Sequence, residues 1–187
     1  MKLKKFNFKI INSTNDLAIR LIKYTNNKSG IIIAEKQKKG RGQYTKKWTS
    51  FKGNLFVSIF FPIDDVKLSL KELTKVNCLL VKKLLTCFYN DKISIKYPND
   101  LLINNSKISG ILQETVSKSG KSFIIVGIGI NLIKSPNIKN YLTTNFLDLT
   151  NVKINNNYAA LKLKKIYEKF IPKLPKFNIK NINRILK

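Results

Sequence analysis

The chain has no histidine. Across 187 residues it also carries only two cysteines, one tryptophan and one methionine, and 10 acidic residues stand against 36 basic ones. Each scarcity excludes something. Without histidine, and with Cys78 and Cys87 in one apolar, helix-like stretch, neither a zinc site nor a nucleophile–base pair is recognisable. Nine helical residues turn a chain by about 900°, so the two thiols are expected on opposite sides of that helix, unpaired and buried, in a reducing compartment. The N-terminus MKLKKFNFKI lacks an apolar signal core, and no apolar run approaches the roughly 18 residues of a membrane span. A soluble cytoplasmic protein with no membrane partner is the expectation.

What is present reads as one globular domain: 43% of residues are hydrophobic, in runs separated by short polar stretches. The net charge of +26 favours a polyanionic partner. The plainer account is a coding bias towards Lys, Asn and Ile, with lysines spread over solvated faces and no specific DNA binding. Residues 6–11 alternate into a short strand, and Ser13 and Thr14 cap a helix with Leu17, Ala18, Leu21 and Ile22 on one face. Residues 30–35 and 54–62 read as buried strands, and 67–89 as a helix. Four strands then follow in quick succession, separated by PND, NNS and SKSG, which makes them antiparallel neighbours. Beyond residue 134 the pattern weakens, apart from a helix at 158–170. The expected class is α/β (α+β), a mixed and largely antiparallel sheet flanked by helices.

Several clusters carry chemistry. KKGRGQYTKKWTS (38–50) sets Arg41 between Gly40 and Gly42 and closes on Trp48. The glycines allow positive φ and close approach to a ligand, and the loop's amides can form an anion nest around Arg41's rigid fork of donors. An ordinary basic loop explains the same residues. Ser13-Thr14-Asn15 offers polar groups at a helix start, or a plain cap; Lys96-Tyr97-Pro98-Asn99-Asp100 is a polar corner, or a turn. Lys107 begins a strand three residues before Gly110, and Gly127-Ile128-Gly129-Ile130-Asn131 puts two glycines into another, where close ligand approach is one reason for them.

In order, these clusters resemble the motifs of the biotin protein ligases: Ser-Thr-Asn, a Gly-Arg-Gly loop ending in Trp, Lys-Trp-Pro-Asn-Asp, Lys-x-x-Gly-Ile-Leu and Gly-x-Gly-x-Asn. Here they read S13-T14-N15, G40-R-G to W48, K96-Y-P-N-D100, K107-I-S-G-I-L112 and G127-I-G-I-N131, over residues 6–133. The resemblance implies a class II aminoacyl-tRNA-synthetase-like catalytic domain, with 1–133 as its core and 134–187 as a helical extension lacking a C-terminal β-barrel. It implies ATP with Mg2+ and biotin as reactants, biotinyl-5′-AMP as intermediate, and a biotin carboxyl carrier protein as acceptor; it allows a homodimer. Arg41 and Lys107 are implied as the catalytic cations. Ser13, Thr14, Asn15, Gln37, Gly40, Gly42, Gln43, Gly110 and Gly127 join them around biotin, and Trp48, Lys96, Asn99, Asp100 and Asn131 face the nucleotide. The chain departs at Tyr97, where the family has Trp, and at Gln43 and Thr45, where it has an arginine and a third glycine. The rival readings are a lipoate or octanoate ligase or transferase of the related superfamily, a basic nucleic-acid-binding module, and a structural protein.

Overall fold

The computed structural model describes residues 1–139 and 141–185. In chain order the elements are β1 (Lys4–Ile11), α1 (Thr14–Tyr24), β2 (Gly30–Gln37), β3 (Leu55–Pro62), α2 (Leu70–Leu85), β4 (Ile93–Lys96), β5 (Asp100–Ile103), β6 (Ser106–Lys118), β7 (Lys121–Ile130), α3 (Phe146–Thr150) and α4 (Asn156–Phe170). Two 3-10 segments, Ile171–Lys176 and Ile179–Ile185, follow. The strands form one seven-stranded sheet in the order β1-β2-β3-β7-β6-β5-β4. The mixed, largely antiparallel class holds. Only β1 and β2 are parallel, because α1 carries the chain back between them. The later strands reverse through tight turns, of which Asn104-Asn105 (φ 49° and 58°) and Ser119-Gly120 (φ 49° and 73°) take left-handed conformations that match strand twist.

Strand alternation divides the apolar residues between two faces. Ile31 and Ile33 of β2, Val57, Ile59 and Phe61 of β3, and Ile124, Val126 and Ile128 of β7 share the larger core with α2 and α4. Ile32, Phe60, Phe123 and Ile125 meet Ala18 and Ile22 of α1 on the opposite face. Burying one such side chain contributes about 1.5–3 kcal/mol. A polar relay crosses the larger core: the Tyr167 hydroxyl donates to Asn77 Oδ1 at 3.0 Å, Asn77 Nδ2 to Gln113 Oε1 at 2.8 Å, and Gln113 Nε2 to the Leu70 carbonyl at 3.0 Å. These partners let a buried tyrosine join α4 to α2 and β6 without an unsatisfied hydroxyl. Among the described residues no helix is long and apolar enough to cross a membrane.

The structure corrects several sequence expectations. The helix expected at 67–89 is α2, capped at Ser69 by a reciprocal bond with Glu72 and closed at Thr86. Cys87 therefore lies beyond the helix and is exposed, so burial holds for Cys78 alone. α3 had no pattern to announce it; it is a single short turn capped by the Asn145 side chain. Asp100, taken with a turn, opens β5 opposite Lys96. Asn54, read into a strand, instead uses its Oδ1 to accept the amides of Leu132, Ile133 and Lys134 at 2.9–3.2 Å, fixing the exit of β7.

Burial, and then the nearby charge of Asp100, push the Cys78 thiol from 9.0 up to about 12. A disulfide-exchange reagent at pH 8 should modify Cys87 within minutes and reach Cys78 only on denaturation; two fast thiols would contradict this burial. Between pH 9 and about 12 the folded state holds a proton at Cys78 that the unfolded chain has lost, so this thiol lowers stability as pH rises through that window.

Candidate active site

On the α1 face of the sheet, three glycines leave a patch of backbone bare. Register pairs Gly110 with Gly129 and Leu112 with Gly127 across β6 and β7, so Gly110, Gly127 and Gly129 point the same way. A Cβ on Gly129 would overlap the indole of Trp48, and one on Gly110 would lie 2.7 Å from the same ring. A Cβ on Gly127 would overlap the Asn15 carboxamide. Trp48 and Asn15 thus lie flat on β6 and β7, and around them opens a cleft of about 370 Å³.

Among the residues expected from the sequence, Ser13, Thr14, Asn15, Gln37, Arg41, Gly42, Gln43, Trp48, Lys96, Asn99, Asp100, Lys107, Gly110 and Gly127 line this cleft. Gly40 and Asn131 are absent from its wall. Gly40 serves the loop itself, because the Trp48 carbonyl sits 2.5 Å from where its Cβ would be. Asn131 is buried, donates through Nδ2 to the Thr144 carbonyl at 3.1 Å, and leaves Oδ1 without a protein partner.

At the start of α1, Ser13 Oγ accepts from the Asp16 amide at 3.3 Å, while the Thr14 amide and hydroxyl both donate to Gln37 Oε1 at 2.8 and 3.1 Å. Asn15 Nδ2 donates to the Leu112 carbonyl at 3.2 Å and to Glu114 Oε2 at 2.6 Å, and its Oδ1 accepts from Ser58 Oγ at 2.5 Å. Leu112's oxygen and the Glu114 carboxylate only accept, so they determine which end of the amide is nitrogen.

The 40–48 loop closes on itself. The Gly42 amide donates to the Lys46 carbonyl at 2.7 Å, the Lys46 amide to Gln43 at 3.1 Å and the Trp48 amide to Gly40 at 2.9 Å. The Gly42, Lys46 and Trp48 amides are thus engaged within the loop and are not part of an anion nest, and side chains add to its charge. Positive φ falls at Tyr44 (52°) and Thr45 (60°), not at Gly40 or Gly42. Position 45, where the resemblance implies a third glycine, is left-handed, and a β-branched residue there holds the turn under strain.

Two cations take different surroundings. Arg41 directs both terminal nitrogens at Glu114, at 3.0 and 2.7 Å, and meets Asp16 at 2.8 Å. Partial burial works against its charge, but Glu114 and Asp16 outweigh it and hold its pKa above the ordinary value. Lys107 lies 2.8 Å from Asp100 and 5.5 Å from the ring centroids of both Trp48 and Tyr141, an ammonium kept by one carboxylate and two aromatic faces. Asn99 Nδ2 donates to the Ile111 carbonyl at 3.0 Å, which holds the Lys96–Asp100 corner, with its cis Tyr97–Pro98 bond, against β6.

Sequence reading missed Glu114, Asp16, Ser58 and Tyr141. Glu114 was within reach: Gly110, Leu112 and Glu114 alternate onto one face of β6. Tyr141 was not, because the weakly patterned segment carrying it reaches the cleft only through the pairing of Lys107 with Leu142 and Thr144.

Residues 7–131 match the family model of the biotin/lipoate A/B protein ligases. The chain belongs to that family. It is 31% identical over 163 residues to the bifunctional ligase/repressor BirA of Escherichia coli, covering 84% of this chain and 50% of that protein. It is 32% identical over 127 residues to the biotin--[acetyl-CoA-carboxylase] ligase of Paracoccus denitrificans, covering 66% and 52%. The chain spans about half the length of these curated relatives. Its structure superposes on the Aquifex aeolicus biotin protein ligase in complex with biotin and ATP with a TM-score of 0.82 at 26% identity, over 98% of this chain and 77% of that one.

The lone tryptophan makes the glycine patch measurable. Gly129→Ala should lift Trp48 from the sheet, moving its emission to the red and raising its quenching by acrylamide; unchanged emission would mean that the ring does not rest there.

Proposed function

We propose that this family member is a biotin protein ligase: it activates biotin with MgATP to biotinyl-5′-AMP and transfers the biotinyl group to a lysine of a biotin carboxyl carrier protein. The observation that carries this reading is the convergence of all five motifs on one cleft, with the Lys107 ammonium held at its floor. Residues 1–133 act as the catalytic core and 134–187 as a helical extension of the same domain.

The chemistry suits a chain without histidine. In the first step a carboxylate oxygen of biotin attacks the α-phosphorus of ATP; that O–P bond forms as the bond to the pyrophosphate oxygen breaks. No side-chain nucleophile is needed, only alignment and cations aimed at the developing charge. Lys107, with Lys46, Lys47 and Lys96 around the same cleft, supplies those cations. The Ser13–Asn15 turn, Gln37 and the bare backbone at Gly110 and Gly127 take up biotin; Trp48, Asn99 and Asp100 stand on the nucleotide side. Asn131 acts there indirectly, by bracing the segment that carries Tyr141. Mg2+ would arrive on ATP's phosphates and offset their charge. In the second step the carrier's ε-amine attacks the acyl carbon, AMP leaves with its oxygen, and the amine's proton passes to solvent.

Biotin and MgATP together should raise the melting temperature well above either alone, because a retained adenylate binds only the folded state. An equal shift with lipoate in place of biotin would turn the assignment to the lipoate branch.

Gln43 lines the cleft where related loops carry arginine. A neutral amide supplies neither charge nor a bidentate fork to the adenylate phosphate. Gln43→Arg should slow adenylate release roughly tenfold if the added contact is worth about 1.4 kcal/mol. Release is timed by trapping free biotinyl-5′-AMP in the absence of carrier; faster release would mean that position 43 points away from the phosphate.

A further inference from the structure

We propose that Glu114 is a positioning residue that sets the biotin end of the cleft, holding Asn15 and Arg41 in one clamp so that Arg41 acts as a strut of the loop. The proposal rests on the biotin ligase reading and adds a residue to that site.

Three observations carry it. First, Glu114 Oε2 is shared between Asn15 Nδ2 at 2.6 Å and Arg41 Nη2 at 2.7 Å, while Oε1 takes Arg41 Nη1 at 3.0 Å. One carboxylate thereby joins α1, β6 and the 40–48 loop, and Asp16 adds a second link between α1 and that loop. Second, Arg41 is already matched: its fork faces Glu114 in the bidentate geometry that carboxylates favour, and Asp16 occupies Nη2 from the other side at 2.8 Å. A guanidinium paired with two carboxylates presents less charge to a substrate anion than Lys107, which has one such partner, or than the other lysines of the cleft. Third, a bias towards lysine does not account for acids placed here. The chain has only 10 acidic residues, and Asp16 and Glu114 both go to one of its few arginines.

The consequence is geometric. Asn15 lies over Gly127 with its amide nitrogen committed to Leu112 and Glu114, so its remaining oxygen lone pair points in a direction that Glu114 fixes. Losing Glu114 frees the Asn15 carboxamide and unties the loop together. A contact that acts by alignment alters biotin recognition more than turnover.

The test is a double-mutant cycle in biotin-dependent ATP–pyrophosphate exchange with the full chain, using Glu114→Gln, Arg41→Gln and the pair. Each single substitution should raise the biotin KM about tenfold and change kcat less than about threefold, and the double should be no worse than the worse single, since either breaks the same clamp. Multiplying effects, near a hundredfold in KM, would show that Arg41 works on the ligand independently and would overturn the proposal. Asp16→Asn removes the second partner of Arg41 but leaves Asn15 held, so it should raise KM less than Glu114→Gln; an equal rise would overturn the part assigned to Asn15. Acrylamide quenching of Trp48 in the ligand-free protein, which needs no activity, should increase alike in Glu114→Gln and Arg41→Gln. If the wild type shows no biotin-dependent exchange while quenching responds as expected, the ligase reading fails and the clamp stands. If exchange is present but Glu114→Gln changes neither KM nor quenching, the clamp fails alone.

Discussion

The site depends on a steric vacancy in the sheet. At Gly110, Gly127 and Gly129 the cleft face of β6 and β7 has no side chains, and the space is taken by Trp48 and Asn15, which come from the two segments N-terminal to it in the chain. A single methyl group at 129 would meet an indole, so the polar turn at the start of α1 and the 40–48 loop can reach the sheet only because those positions are glycine. The cost of glycine within a strand, about 0.5–1 kcal/mol each relative to alanine, is borne here by a sheet otherwise heavily buried by α2 and α4.

Electrostatics follows the same economy of place. A chain with net charge +26 repels itself, and three of its ten acidic residues pair with cations of the cleft: Asp100 with Lys107, and Asp16 and Glu114 with Arg41. The first pair lies largely out of solvent between two aromatic rings; the second is more open and is stronger for its bidentate geometry than for its burial. The cleft is therefore lined by a lysine paired with one carboxylate and an arginine tied between two. The strained, left-handed Tyr44-Thr45 turn is held by the loop's own three backbone bonds.

Much of this was legible in the order of residues. Alternation in 6–11 announced a strand, near-continuous apolar runs in 30–35, 54–62 and 122–132 announced buried ones, short polar links announced antiparallel pairing, and Ser13 announced the start of α1, because each of these signals is local. The motif residues were legible for the same reason, and the structure gathers nearly all of them around one cleft. What a glycine was for was not legible. Gly40 and Gly42 were read as sites of positive φ, whereas Gly40 answers to the Trp48 carbonyl and the positive φ values fall on Tyr44 and Thr45.

By itself, then, the sequence determined the strand and helix pattern, the family and the set of side chains available for chemistry, since periodicity, turns and motif spacing depend only on neighbours along the chain. Tertiary structure decided which groups meet. Only packing of α1 against β6 brings Asn15 to Glu114, 99 residues on, and only closure of the loop brings Arg41 to Glu114 across 73. Only the pairing of residues 142–144 with Lys107 places Tyr141 over its ammonium. Side-chain partnership is a distance in space, and two residues far apart in a chain acquire one only when the sheet between them has taken its register.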